Sequence, residues 1–293
     1  MKTKIIFLSF FFFFFSCSSD KLGSFDKWTE TQKASYAIGI NVAASLSAPD
    51  RLNLEEVDYD QLLQAMNDVF NNDAIKYDMR DSAIFWQNYV GDINSRKSED
   101  VPVVSYMIGV SVAKSIPVFI NIDIDLMMKG FIDVYEKNTL HISDSAAISI
   151  VNIYMEEQGK IFAAENLIKS EDFLDKNSKD KDVLVTSSGL QYKILEKNTG
   201  TIYPKKTDTV TVHYHGTIID GTVFDSSVER QEPARFALDR VIPGWTEGLQ
   251  LMNKGDKFRF FIHPDLAYRD RAAGEIILPN SVLIFDVELI SIN

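Results

Sequence analysis

The chain has 293 residues, a formal net charge of −12, 45% hydrophobic and 25% charged residues, and one cysteine. These are globular proportions, enough for one large domain or two at about 100–200 residues each, and they exclude a collagen-like, wholly disordered or polytopic membrane chain. The acidic balance excludes a nucleic-acid binder, whose phosphate contacts need clustered Lys and Arg. A single cysteine excludes an internal disulfide framework and any multi-cysteine metal site.

Seven of the 20 phenylalanines lie in residues 1–16, including the run Phe10 to Phe15. Lys2 and Lys4 precede an apolar stretch from Ile5 to Phe15. That stretch is too short to cross a bilayer, which takes about 20 helical residues. It reads as the core of an export signal. Ser16 and Cys17 follow, and a small residue before Cys at this point resembles the lipobox of bacterial lipoproteins, with Phe14 where Leu is more usual. The resemblance implies a signal peptide over 1–16, lipidation at Cys17 and a tether over 17–27. An ordinary cleaved signal or an uncleaved anchor with an incidental Cys is the alternative.

The next region repeats. SYAIGINVAASL at 35–46 and SYMIGVSVAKSI at 105–116 match in register at an offset of 70. The match continues from Asp58-Tyr-Asp60 to Asp123-Ile-Asp125, and from Asp81-Ser82-Ala83 to Asp144-Ser145-Ala146. Leu62, Leu63, Met66, Val69 and Phe70 follow helical spacing, as do Met127, Met128, Phe131, Val134 and Tyr135. Each unit therefore reads as three helices, over 28–98 and 99–182, with Asp60, Asp125 and Asp144 where N-caps are wanted. Gly39 and Gly109 interrupt good helix formers at about 1 kcal/mol each relative to Ala, which points to close helix–helix packing. The last helix runs from about Asp144 to Asn177 without a Pro, and its charge-rich second half reads as a solvent-exposed spacer.

From Leu184 the period changes to two. Val210 to Gly216 alternates as a half-buried strand, Asp220-Gly221 is a hairpin turn, and Asp256 to Ile262 and Ser281 to Ile290 are strand-like. A short helix is expected from Trp245 to Met252. The fold class is α+β over 183–293, after an all-helical N-terminal region.

Three segments in this region, VHYHGTIIDGTVFDSS (212–227), VIPGWTEGLQLM (241–252) and LPNSVLIFDVEL (278–289), resemble the FKBP-type peptidyl-prolyl cis-trans isomerases. FLDKNSKDKDVLVTSSGLQYKIL (173–195) resembles the entry to the isomerase domain in bacterial two-domain members of the macrophage infectivity potentiator type, whose helical N-terminal domain dimerises. SYAIG-like motifs belong to that helical domain, and this chain has two copies. The resemblance implies a five-stranded antiparallel half-barrel around one helix, and peptidyl-prolyl isomerase activity. It implies a proline pocket walled by Tyr214, Phe224, Phe236, Val241, Ile242, Trp245, Tyr268 and Phe285, with Trp245 as the floor. The backbone near Val241 and Ile242 would bind the substrate chain, and Asp225 and the Tyr268 hydroxyl would supply polar contacts. No cofactor and no metal are required, and His213 and His215, which share one strand face, read as surface residues.

Two positions depart from the family pattern. Ala234 stands where a pocket aromatic is common, which implies a more open wall and altered affinity for macrocyclic inhibitors. Arg269 stands where a Gly usually follows the pocket tyrosine, which puts the path of the following loop in question. The reading is a lipid-anchored, extracytoplasmic isomerase, facing the periplasm or on the cell surface. Its expected partners are proline-containing unfolded or nascent envelope proteins, and the membrane through the N-terminal lipid. Its helical repeats would pair within the chain as a pseudo-dimer, or between chains as a homodimer. The alternative is a holdase-like or peptide-binding module without turnover.

Overall fold

The computed structural model describes residues 23–47, 57–77, 97–117 and 119–293. The export signal, Cys17 and the helix start at Asp81-Ser82-Ala83 lie outside the described residues. By packing, the chain divides into two compact units, Met1–Gln158 and Gly159–Asn293.

The first unit is helical, with α1 (Glu30–Leu46), α2 (Tyr59–Phe70), α3 (Val101–Ser115), α4 (Ile124–Tyr135) and the start of α5 (Asp144–Asn177). Thr29 caps α1 in a capping box with Gln32. The caps of α2 and α4 are Asp58 and Asp123, two residues earlier than the sequence suggests. Each holds an extended backbone while its carboxylate accepts from the N–H three residues on, Gln61 and Leu126. Asp60 and Asp125 fall in the first turn instead, where their charge still opposes the positive helix end. Asp144 is the first residue of α5, and Ser143 Oγ accepts from Ala146 N at 3.3 Å.

The two repeats do not close on themselves. α1 of the first packs on α4 of the second, and α3 of the second packs on α2 of the first. The polar contacts repeat across this exchange. Tyr36 Oη donates to Asp133 Oδ2 at 2.9 Å, and Tyr106 Oη donates to Asp68 Oδ2 at 2.5 Å. Ser35 Oγ accepts from Asp123 N at 2.9 Å, and Ser105 Oγ accepts from Asp58 N at 2.8 Å. Both tyrosines are fully buried. Burial first, then the carboxylate partner, pushes both hydroxyls above the usual tyrosine range.

Close backbone approach makes these contacts possible. A Cβ on Gly39 would lie 1.9 Å from the Met127 carbonyl oxygen, and one on Gly109 would lie 2.3 Å from that of Leu62. Gly130 returns the contact, with the Tyr36 carbonyl 2.1 Å from where its Cβ would be. Helix propensity alone favours Ala over Gly by about 1 kcal/mol, whereas overpacking costs about 1–3 kcal/mol. Gly39→Ala and Gly109→Ala are therefore expected to lower the thermal unfolding midpoint rather than raise it, measured by circular dichroism at 222 nm, a helical signal.

In the second unit an antiparallel sheet runs in the order β1 (Val183–Val185), β2 (Gln191–Glu196), β6 (Lys257–Ile262), β7 (Leu283–Ile292), β3 (Thr209–Thr217), β4 (Val223–Ser226), with β5 (Ala234–Ala237) also on β3. There are seven strands, not the five of the family pattern. β4 and β5 lie along the same edge of β3, at His215–Thr217 and Thr209–Val212, as one strand broken by the segment between them. β1 is a three-residue lead-in pairing only β2. β3 alternates half-buried and buried along its whole length, as its sequence period requires. Its inward residues, with those of β6 and β7, cover α6 (Pro243–Leu249) in one core. The helix is shorter than expected because the chain leaves helical geometry after Gln250.

The second half of α5 is not a free spacer. Its charges face solvent, but Ser170 and Leu174 are buried. Asn166 Nδ2 donates to Pro279 O at 2.6 Å, and Gln191 Nε2 donates to Leu174 O at 2.9 Å. Leu174 and Phe173 pack with Val183, Phe261, Val282 and Ile284. One apolar and amide-bearing stripe, hidden among the charges, packs this half-helix against the sheet within the second unit, to which it belongs.

Candidate active site

A cavity of about 880 Å³ opens on the inner face of the sheet. All nine expected site residues line it: Tyr214 from β3, Phe224 and Asp225 from β4, Phe236 from β5, Val241 and Ile242 just before α6, Trp245 on α6, Tyr268 on the loop after β6, and Phe285 from β7. Trp245 is buried and holds the centre. The rings of Tyr214, Phe236 and Phe285 meet it near edge-on, with centroids 5.3, 5.2 and 5.1 Å away. Such geometry sets the positive edge of one ring on the negative face of the next, worth about 0.5–1.5 kcal/mol per pair beyond burial. Phe224 stands edge-on to Phe285 at 5.2 Å. Gly216 permits that pair, since a Cβ there would lie 2.7 Å from the Phe224 ring. Among the described residues the Trp245 Nε1 has no hydrogen-bond partner, so ring contacts alone orient the indole.

The polar corner is a closed clamp. Tyr214 Oη donates to Asp225, Arg230 donates to the other oxygen of the same carboxylate, and Arg230 Nη2 donates to Tyr214 Oη at 3.0 Å. Burial raises the affinity of Asp225 for a proton, but the bonds from Tyr214 and Arg230 outweigh it and hold the carboxyl below the usual range. Burial, then Asp225, pushes the Tyr214 hydroxyl up. Asp225 is thus a charged, oriented acceptor and no proton donor at neutral pH. Arg230 was not legible as a site residue, because it lies on an irregular segment where spacing carries no period. Arg240, at the end of a short 3-10 helix, and Arg271 with the stretch 273–277, from the loop before β7, line the cavity.

Ala234 does not line the cavity; on β5 it pairs with Val212 of β3 and packs against the core. Arg269 keeps the left-handed backbone that a Gly would adopt, at φ 58°. His213 and His215 point to the opposite face from Tyr214 and are half-buried, because each ring lies against a serine, Ser227 Oγ at 3.2 Å and Ser226 Oγ at 3.0 Å.

Residues 200–290 match the family model described as FKBP-type peptidyl-prolyl cis-trans isomerase. Residues 102–194 match that of the domain amino-terminal to it, a span that holds the second helical repeat and not the first. The "Outer membrane protein MIP" of Legionella longbeachae is 40% identical over 201 residues, 66% of this chain and 86% of that protein. The chain belongs to the FKBP-type peptidyl-prolyl cis-trans isomerase family. An FKBP-type isomerase named FkpA, from Aeromonas hydrophila, is 55% identical over 130 residues, 44% of this chain; the match spans about half of that relative, 48%. The crystal structure of FkpA from Escherichia coli aligns with a TM-score of 0.53 at 35% identity, over 75% of this chain and 99% of that one.

The clamp makes one pH-dependent prediction for this FKBP-type site. The folded Asp225 carboxyl lies below its unfolded value, so its contribution to stability is present above the unfolded pKa of about 3.9 and is lost as pH falls through the lower folded value. Arg230→Leu is expected to move the Asp225 carboxyl titration upward, read from its side-chain carbonyl 13C shift against pH.

Proposed function

We propose that this protein is a peptidyl-prolyl cis-trans isomerase that assists the folding of proteins outside the cytoplasm. The observation that carries the reading is the gathering of all nine expected residues around one mainly apolar cavity. An amide resists rotation by about 18–20 kcal/mol because of its resonance. At the twisted midpoint that resonance is lost and the amide is less polar. A cavity that excludes water favours the twisted form over the planar one, which is differential binding of the transition state. In this reading the proline ring lies over Trp245, between Tyr214, Phe236 and Phe285. Asp225 and the Tyr268 hydroxyl hold the flanking chain, with the backbone at Val241 and Ile242. No residue needs to form a covalent bond to substrate. Isomerisation of X-Pro bonds takes tens to hundreds of seconds unaided, slow enough to limit folding.

The location follows from the N-terminal sequence: export, lipidation at Cys17 and attachment to a bacterial membrane, with proline-containing envelope proteins as substrates. The name of the Legionella relative, an outer membrane protein, supports an envelope setting. We keep 183–293 as the isomerase domain, and 28–98 and 99–182 as helical units. The crossed pairing of α1 with α4 and α2 with α3 supports an intramolecular pseudo-dimer with one isomerase site per helical body.

Two measurements test this. In a protease-coupled assay with a Leu-Pro peptide, the soluble form (residues 18–293) is expected to turn over. Phe224→Ala is expected to lower kcat/KM by about tenfold or more and Tyr268→Phe by less, since one removes a whole half-buried ring from the cavity wall and the other one hydroxyl. A wild-type rate at background, with peptide binding retained, sinks the isomerase reading in favour of a holdase-like module. Light scattering of the same form is expected to give the monomer mass, and a stable dimer refutes the pseudo-dimer.

A further inference from the structure

We propose that Asn280 is a positioning residue that sets the Tyr268 wall of the cavity by tying it to the second half of α5. The inference rests on the isomerase reading of that cavity and adds a part of the site that its lining does not contain. Tyr268 is the weakly held member of the wall. It is 37% exposed, lies outside any strand, and among the described residues its hydroxyl makes no hydrogen bond. Where its ring stands is therefore decided by its backbone. That backbone is fixed from two sides. Arg269 N donates to Pro264 O at 3.0 Å, and Arg269 O accepts from Asn280 N at 2.7 Å.

Asn280 is in turn anchored to α5. Its Nδ2 donates to Ala163 O at 2.9 Å, and its own carbonyl accepts from Ser170 Oγ at 2.6 Å. Asn166 adds a bond to the preceding Pro279 carbonyl. Ala163, Asn166 and Ser170 follow one another at helical spacing on one face. Ser170 is fully buried, so its hydroxyl needs this partner, because a buried hydroxyl left without one keeps its full desolvation penalty. Both Arg269 and Asn280 hold a left-handed backbone, at φ 58°. That conformation is disfavoured for a residue with a Cβ, and asparagine tolerates it better than most. Two disfavoured backbones joined by one hydrogen bond persist because the helix holds the far end.

Asn280→Gly keeps the backbone conformation and bonds while removing the link to Ala163. Ser170→Ala removes the other link. Three readouts test the tether: kcat/KM with a Leu-Pro peptide, the same in a Tyr268→Phe background, and amide hydrogen exchange over residues 264–277. The expected result for the combined variant is a loss of about three- to tenfold in kcat/KM, with faster exchange in that loop. Tyr268→Phe should also cost less in the untethered background than in the wild type, a coupling that plain destabilisation does not produce. Equal costs of Tyr268→Phe in both backgrounds, or unchanged exchange, overturn the proposal. If the combined variant does not fold, Asn280→Gly alone is read the same way. If the wild type shows no turnover, the isomerase reading fails separately, and loop exchange decides the tether by itself.

Discussion

Everything in the sheet unit is arranged around one indole. Trp245 sits on a helix of seven residues, too short to be stable in water without a covering surface. The sheet supplies that surface through Tyr214, Phe236 and Phe285, which meet the ring near edge-on. Edge-on contacts leave the outer faces of the rings uncommitted. A flat stack would fill the space, whereas this arrangement props the walls apart. The cavity is thus a by-product of how the core is packed, and the polar clamp of Tyr214, Asp225 and Arg230 closes only one corner of it.

The helical unit answers a different constraint. A serine, a tyrosine and a glycine recur within each SYxIG motif, and each has one task. The serine ties the other repeat's helix cap, the tyrosine reaches an aspartate of the other repeat, and the glycine lets the backbones meet. None of these partners lies in the same repeat. The motif is therefore a device for recognising the other copy, and the conservation of its pattern inside one chain follows from that reciprocity.

Much of this was legible before the coordinates. Period two in β3, the hairpin at Asp220-Gly221 and the extent of α5 follow from local sequence, because each depends on neighbours in the chain. The nine cavity residues were reachable through a family resemblance covering 185–293, and not through their own chemistry, since buried aromatics look alike in any core. What stayed hidden depends on distant partners. Periodicity shows that α1 has an apolar face and does not show that α4 covers it. The sequence places the cap of α2 at Asp60, and only the extended backbone at Asp58 shows that the cap falls two residues earlier. The docking stripe on α5 was masked by the charges on its other faces, and Arg230 by the absence of any period in its loop.

The exchange of helices within one chain carries a kinetic meaning. When two separate chains trade helices, the folded body depends on how often they meet, so it weakens with dilution. Here the trading partners belong to one chain, so each meets the other at an effective concentration set by the chain that joins them and not by dilution. The helical body then assembles by a first-order step, whose rate does not depend on how dilute the protein is.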